Sequence, residues 1–78
     1  MGEWFCEDGI WKRSVAPSVW AYVREHDGRY EVTTGTHGTR NQWQDYCAAQ
    51  GGVSSQEYKA KRRATALARN LINEWRLR

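Results

Sequence analysis

The run Val19-Trp20-Ala21-Tyr22-Val23-Arg24-Glu25-His26-Asp27-Gly28-Arg29-Tyr30-Glu31-Val32-Thr33-Thr34 decides the fold. Asp27-Gly28 supplies the two successive positive-φ residues of a type I′ turn. The runs on either side are rich in β-branched and aromatic residues, which suit a pleated sheet. A two-residue loop sets His26 opposite Arg29, Arg24 opposite Glu31 and Val23 opposite Val32. Side chains alternate across a strand, so Val19, Ala21, Val23, Tyr30 and Val32 share the face that should meet the core. The other face carries Trp20, Tyr22, Arg24, His26, Arg29 and Glu31.

A second turn signal, Asp8-Gly9, joins Trp4–Glu7 to Ile10–Arg13, as a short strand pair or a single edge strand. Pro17 ends that unit, because proline cannot donate to a sheet ladder. A lone hairpin is marginal in water, so the expected sheet is antiparallel with two to three strands, three being favoured. Downstream, Gly35 to Gly38 reads as a loop. Thr39-Arg40-Asn41-Gln42 has the form of a capping box, and Trp43, Tyr46 and Cys47 follow at helical spacing. With Gly51-Gly52 as a stop, this predicts a short helix of about three turns; a long loop is the other reading.

Ser54-Ser55-Gln56-Glu57 is a second capping box with no glycine or proline after it. It predicts one helix from Ser55 to Leu77, about 33 Å long. Ala60, Ala64, Leu67, Ala68, Leu71 and Trp75 fall on one face of it. Lys59, Arg62, Arg63, Arg69, Asn70, Asn73 and Arg76 fall on the other. The expectation is therefore a single α+β domain over residues 1–78: a small sheet, a short helix and a long C-terminal amphipathic helix packed on the sheet.

Seventy-eight residues leave a thin core, supplied here chiefly by five Trp and four Tyr. The net charge of +3 is unevenly spread. Residues 1–27 hold five acids against three cations; residues 55–78 hold seven cations against two acids. Such asymmetry points to an anionic partner for the last third. No run approaches the ~18 apolar residues of a membrane span. Met1-Gly2-Glu3-Trp4 has no apolar region of the secretory kind. Cys6 and Cys47 are too few and too far apart for a disulfide framework. A soluble intracellular protein with reduced thiols and no membrane contact is the expectation, as monomer or dimer.

The chemistry-bearing residue types do not converge in sequence. Cys6, Cys47, His26 and His37 lack the short spacings of metal ligands. No nucleophile elbow, phosphate-cradling glycine motif or acid pair is present. The reading is a non-enzymatic binder with no cofactor and no metal. Its candidate surfaces are the helix cations Lys59, Arg62, Arg63, Arg69 and Arg76, and the outward hairpin side chains Trp20, Tyr22, Arg24 and Arg29. Cations along a helix neutralise phosphates or meet acidic protein surfaces. Trp, Tyr and Arg are the usual anchors of an interface. The alternative for Trp20 and Tyr22 is burial beneath the N-terminal segment or the short helix.

Residues Val19 to Arg24, Asp27 to Tyr30 and Thr39 to Ala48 resemble the arm-type DNA-binding domain of phage integrases. There a three-stranded sheet precedes a helix and enters the major groove. Glu31 and the Glu25–Asp27 tip depart from that pattern. In size and layout the chain also resembles small phage-encoded anti-CRISPR proteins. That resemblance implies an inhibitor in the cytoplasm of a bacterial host, blocking target DNA binding or recruitment by a nucleic-acid-targeting complex through docking on an acidic protein or nucleoprotein surface. The first resemblance implies a small DNA-binding regulatory module that contacts nucleic acid directly.

Overall fold

In the computed structural model the described residues are 2–35 and 49–76. They form β1 (Phe5–Glu7), β2 (Ile10–Ala16), β3 (Val19–His26), β4 (Arg29–Gly35), β5 (Ala49–Ser54) and α1 (Glu57–Arg76). The strands make one sheet in the order β1-β2-β3-β4-β5, every neighbouring pair antiparallel.

The central hairpin has the register read from its sequence: His26 faces Arg29, Arg24 faces Glu31 and Val23 faces Val32. Both Asp-Gly pairs sit at positive φ throughout, with Asp8 at 54°, Gly9 at 78°, Asp27 at 53° and Gly28 at 75°. Two successive positive-φ residues match the right-handed twist of the flanking strands. Pro17-Ser18 makes the intervening turn, with Ser18 at φ 65°. Proline therefore sits between strands, where its missing N–H costs no ladder bond.

The sheet has five strands, not two to three. The larger departure is at residues 49–54. Gly51-Gly52 was expected to stop a short helix, yet both glycines lie inside β5. Two physical needs explain them there. Gly52 takes φ 80° at a bulge, where Val32 pairs with Gly52 but Thr33 pairs with Gln50. At Gly51 a Cβ would come within 2.7 Å of Val32 Cγ1 and 3.1 Å of Leu67 Cδ2. The missing side chain lets α1 approach the sheet. The remainder of the expected short helix, Thr39 to Ala48, lies outside the described residues.

Helix α1 begins two residues later than expected. Ser54 Oγ accepts the Gln56 amide at 3.3 Å, a local turn rather than the anticipated capping box. The first intrahelical bond runs from the Ala60 amide to the Gln56 carbonyl at 3.0 Å. The helix lies on β3, β4 and β5 through three fully buried alanines, Ala60, Ala64 and Ala68. Opposite them lie Val19, Ala21, Val23 and Val32, ringed by half-buried Trp4, Trp11, Tyr30, Leu67, Leu71 and Ile72. The side chain of Trp75, expected on this face, lies outside the described residues.

The far side of the sheet is also buried at its centre. Tyr22 and Lys12 are both 0 % exposed there, with Ile10 beside them. Lys12 Nζ lies 2.8 Å from Glu7 Oε1, and Glu7 is half exposed. The pair thus holds a buried cation by a carboxylate that water still reaches.

The width of the sheet fixes what the helix cannot cover. Five strands at about 4.8 Å spacing span about 19 Å, whereas one helix with its side chains is about 10–12 Å across. Because α1 sits over β3 to β5, the helix side of β1 and β2 is left as a shelf beside it.

Candidate functional site

The shelf is occupied by cations. Trp4, which precedes β1, and Arg13 of β2 form its floor. Lys61, Arg62, Thr65 and Arg69 of α1 form its wall, and the open cleft they enclose has a volume of about 380 Å³. Lys61, Thr65 and Arg69 follow one another at i, i+4 and i+8, so one ridge of the helix supplies most of the wall.

The cations are held in place by named contacts. Arg13 Nε donates to the Gly2 carbonyl at 2.9 Å, and its Nη1 donates to Thr65 Oγ1 at 3.3 Å. Thr65 Oγ1 donates in turn to the Lys61 carbonyl at 3.0 Å. The Arg13 guanidinium carbon stands 6.0 Å from the centre of the Trp4 ring. Lys61 Nζ lies 3.7 Å from the centre of the Trp11 ring and 5.7 Å from that of Trp4. Ring faces attract cations at these ranges, so the two indoles orient Lys61 and Arg13 without neutralising them. Glu57 Oε1 meets Lys61 Nζ at 2.9 Å, one turn away along α1. That is a partly exposed helix pair, and such pairs contribute only a few tenths of a kcal/mol. Among the described residues no carboxylate lines the cleft.

The helix candidates divide. Arg62 and Arg69 are exposed and line the cleft. Lys59 is exposed and borders a shallow depression with Arg62 and Arg63. Arg63 is turned to another task, because its Nη1 donates to the Val53 carbonyl at 2.7 Å and lies 3.5 Å from that of Gly51. The side chain of Arg76 lies outside the described residues.

The hairpin candidates do not make one open surface. Tyr22 is fully buried, which removes it from any interface. Trp20 is half buried, with the Phe5 ring edge-on at 6.0 Å, so β1 covers it as the alternative reading held. Arg24 Nη2 meets Glu31 Oε1 at 2.8 Å across the strands. Arg29 is exposed, but it shares its depression with Asp27, Glu31 and His26. The cations of this face are matched by acids, and the face does not concentrate charge of one sign.

Trp4, Arg13, Lys61 and Thr65, whose side chains build the cleft, were not legible as one site in the sequence. The last two had a legible signal, since Glu57, Lys61, Thr65, Arg69 and Asn73 recur every four residues. Trp4 and Arg13 had none, because their place beside α1 follows from the width of the sheet.

Among the described residues no three His, Cys, Asp or Glu side chains gather where they could hold a metal ion. Cys6 is exposed and free of disulfide. Among the described residues no helix is long and apolar enough to cross a membrane. Compared with protein-family models, curated proteins and solved structures, the chain matches none.

Proposed function

We propose that this chain is a non-enzymatic binding protein that works through the cleft between β2 and α1 and the adjoining exposed face of α1. Its target is nucleic acid, bare or held in a nucleoprotein complex. One observation carries the reading: Arg13, Lys61, Arg62 and Arg69 converge on one cleft with no carboxylate among its described lining. Desolvated acids repel phosphate, and guanidinium groups fixed by neighbours lose little freedom on meeting it.

The test is a salt titration of binding to labelled DNA and RNA by fluorescence anisotropy. Phosphate contacts release counterions, so affinity should fall linearly with salt on a log–log scale. Arg62→Glu with Arg69→Glu should abolish binding and move stability by less than about 1 kcal/mol, because both residues are exposed. Undiminished binding in that double variant would place the interface elsewhere.

A second reading has its own support. The turns at Asp8-Gly9 and Asp27-Gly28 lie at the same end of the antiparallel sheet, the end at which α1 begins. Glu7, Asp8, Glu25, Asp27 and Glu57 therefore gather at one end of the domain, with Arg29 among them, and the cations of the last third run away from it along α1. A surface with both signs suits a protein partner better than a bare duplex. On this reading the chain is an inhibitor, of the kind anti-CRISPR proteins represent, that docks on a nucleic-acid-targeting complex. Binding to such a purified complex, with none to bare DNA or RNA at low salt, would select it.

A further inference from the structure

The cationic cleft does not end at Arg69. The same side chain lines a second open depression of about 260 Å³, whose other walls are Val15, Ala16, Ile72 and Asn73. The two adjoin at Arg69 along the β2 side of α1, a groove that this side chain divides. Its first half is cationic, at Arg13, Lys61 and Arg69; its second half is apolar, at Val15, Ala16 and Ile72. Val15 lies in the bulge between Ser14 and Ala16, two residues on from Arg13, and packs with Ala16 against the helix-side core. Charged and apolar surface are thus neighbours along this side of β2.

We propose that this groove is a binding site for single-stranded nucleic acid, the phosphate lying against Arg13, Lys61 and Arg69 and the base on Val15, Ala16 and Ile72. The proposal rests on reading the cleft as a nucleic-acid site and goes beyond it in naming the strand state. A duplex keeps its bases stacked inside and offers a surface its phosphates, which would leave the apolar half of the groove against charge and water. A single strand can turn a ring out onto an apolar wall while its phosphate stays with the cations. Arg13 is suited to the phosphate half. Its contacts to Gly2 and Thr65 use two of five N–H donors and fix the plane of the guanidinium, so the other donors meet an anion already oriented.

The experiment measures anisotropy of a labelled thymidine oligonucleotide and of a blunt duplex of equal length, with the full chain at one fixed salt concentration. The single strand should bind about tenfold more tightly, the gain expected from burying roughly 55 Å² of apolar surface as the base meets the wall. Val15→Thr keeps the side chain's shape and makes the apolar half polar; it should weaken single-strand binding severalfold and leave duplex binding unchanged. Asn73→Leu, at an exposed position on the groove's rim, extends the apolar half and should tighten single-strand binding alone. Arg13→Gln should weaken both. Equal affinity for the two forms, or equal effects of Val15→Thr and Asn73→Leu on both, overturns the proposal while the basic-cleft reading stands. No binding of either form at low salt overturns both.

Discussion

Gly51→Ala tests the element that most separates this structure from the expectation raised by its sequence. In β5 the new methyl would stand 2.7 Å from Val32 Cγ1, 3.1 Å from Leu67 Cδ2 and 3.3 Å from Val32 Cβ. Val32 is 2 % exposed and β-branched, so it has no free rotamer in which to yield. Overpacking of this kind costs about 1–3 kcal/mol. Against it stands about 0.4–1 kcal/mol gained from a stiffer unfolded chain. The net loss should be about 1–2 kcal/mol, in a domain whose whole stability is on the order of 4–12 kcal/mol at 78 residues. The melting temperature, followed by circular dichroism, should fall by about 5–15 °C. A double-mutant cycle makes the test specific. Val32→Ala removes the colliding methyls, so the pair should be more stable than the two single changes predict by at least about 1 kcal/mol. If Gly51 instead ended a helix remote from Val32, the two effects would add within about 0.5 kcal/mol. Additivity would refute the placement of β5 beneath α1.

Three further outcomes follow from single contacts. Lys12 is fully buried at the centre of the far face, so Lys12→Ala should leave a cavity and cost about 2–4 kcal/mol, while Lys12→Met should cost at least about 1 kcal/mol less in urea unfolding. The Glu25 carboxylate, then burial, then Glu57, hold the Tyr30 phenol above the ordinary tyrosine range. A raised folded-state value means that the stability tied to the neutral phenol is complete at neutral pH. It is lost as pH climbs from the ordinary range through the raised one. Glu25→Gln should therefore lower the pH at which Tyr30 ionises in an absorbance titration, and an unmoved curve would refute the pairing. Arg63 donates to carbonyls of β5, a strand with no neighbour on its outer side among the described residues. Arg63→Ala should free that edge and raise self-association in sedimentation, whereas an unchanged monomer would show that the bulge at Gly52 protects the edge alone.

The sequence carried the central hairpin down to its register because two independent signals agreed there. Asp27-Gly28 specifies a turn type, and the alternation of Val19, Ala21, Val23 and Val32 specifies a face. The helix was legible for the same reason, through alanines spaced by four. Strand β5 was not legible. Ala49-Gln50-Gly51-Gly52-Val53-Ser54 contains one β-branched residue and two glycines, which locally favour a stop. What makes it a strand is non-local: β4 offers an open edge, and α1 requires a surface without side chains at Gly51. The cleft inherits this difficulty. Half of it, on the Lys61–Thr65–Arg69 ridge, could be read from helical spacing. The other half, Trp4 and Arg13, acquires a role only once the sheet is wider than the helix.

That mismatch in width also explains why the cations of α1 have different roles on its two sides. Toward β5 the helix reaches the last strand, and Arg63 is held by backbone carbonyls of that strand. Toward β2 the sheet continues past the helix, and the cations there overhang a shelf. Indole rings support Arg13 and Lys61 on it without cancelling their charge. A net charge or a helical wheel treats Arg62, Arg63 and Arg69 as one stripe. The fold separates them, assigning Arg63 to closure of an edge and leaving Arg62 and Arg69 beside Arg13 and Lys61 at the groove. A uniform basic face would lose affinity in similar measure with each arginine removed. A groove on one side requires instead that Arg69→Ala and Arg13→Gln weaken anion binding far more than Arg63→Ala, at equal loss of formal charge.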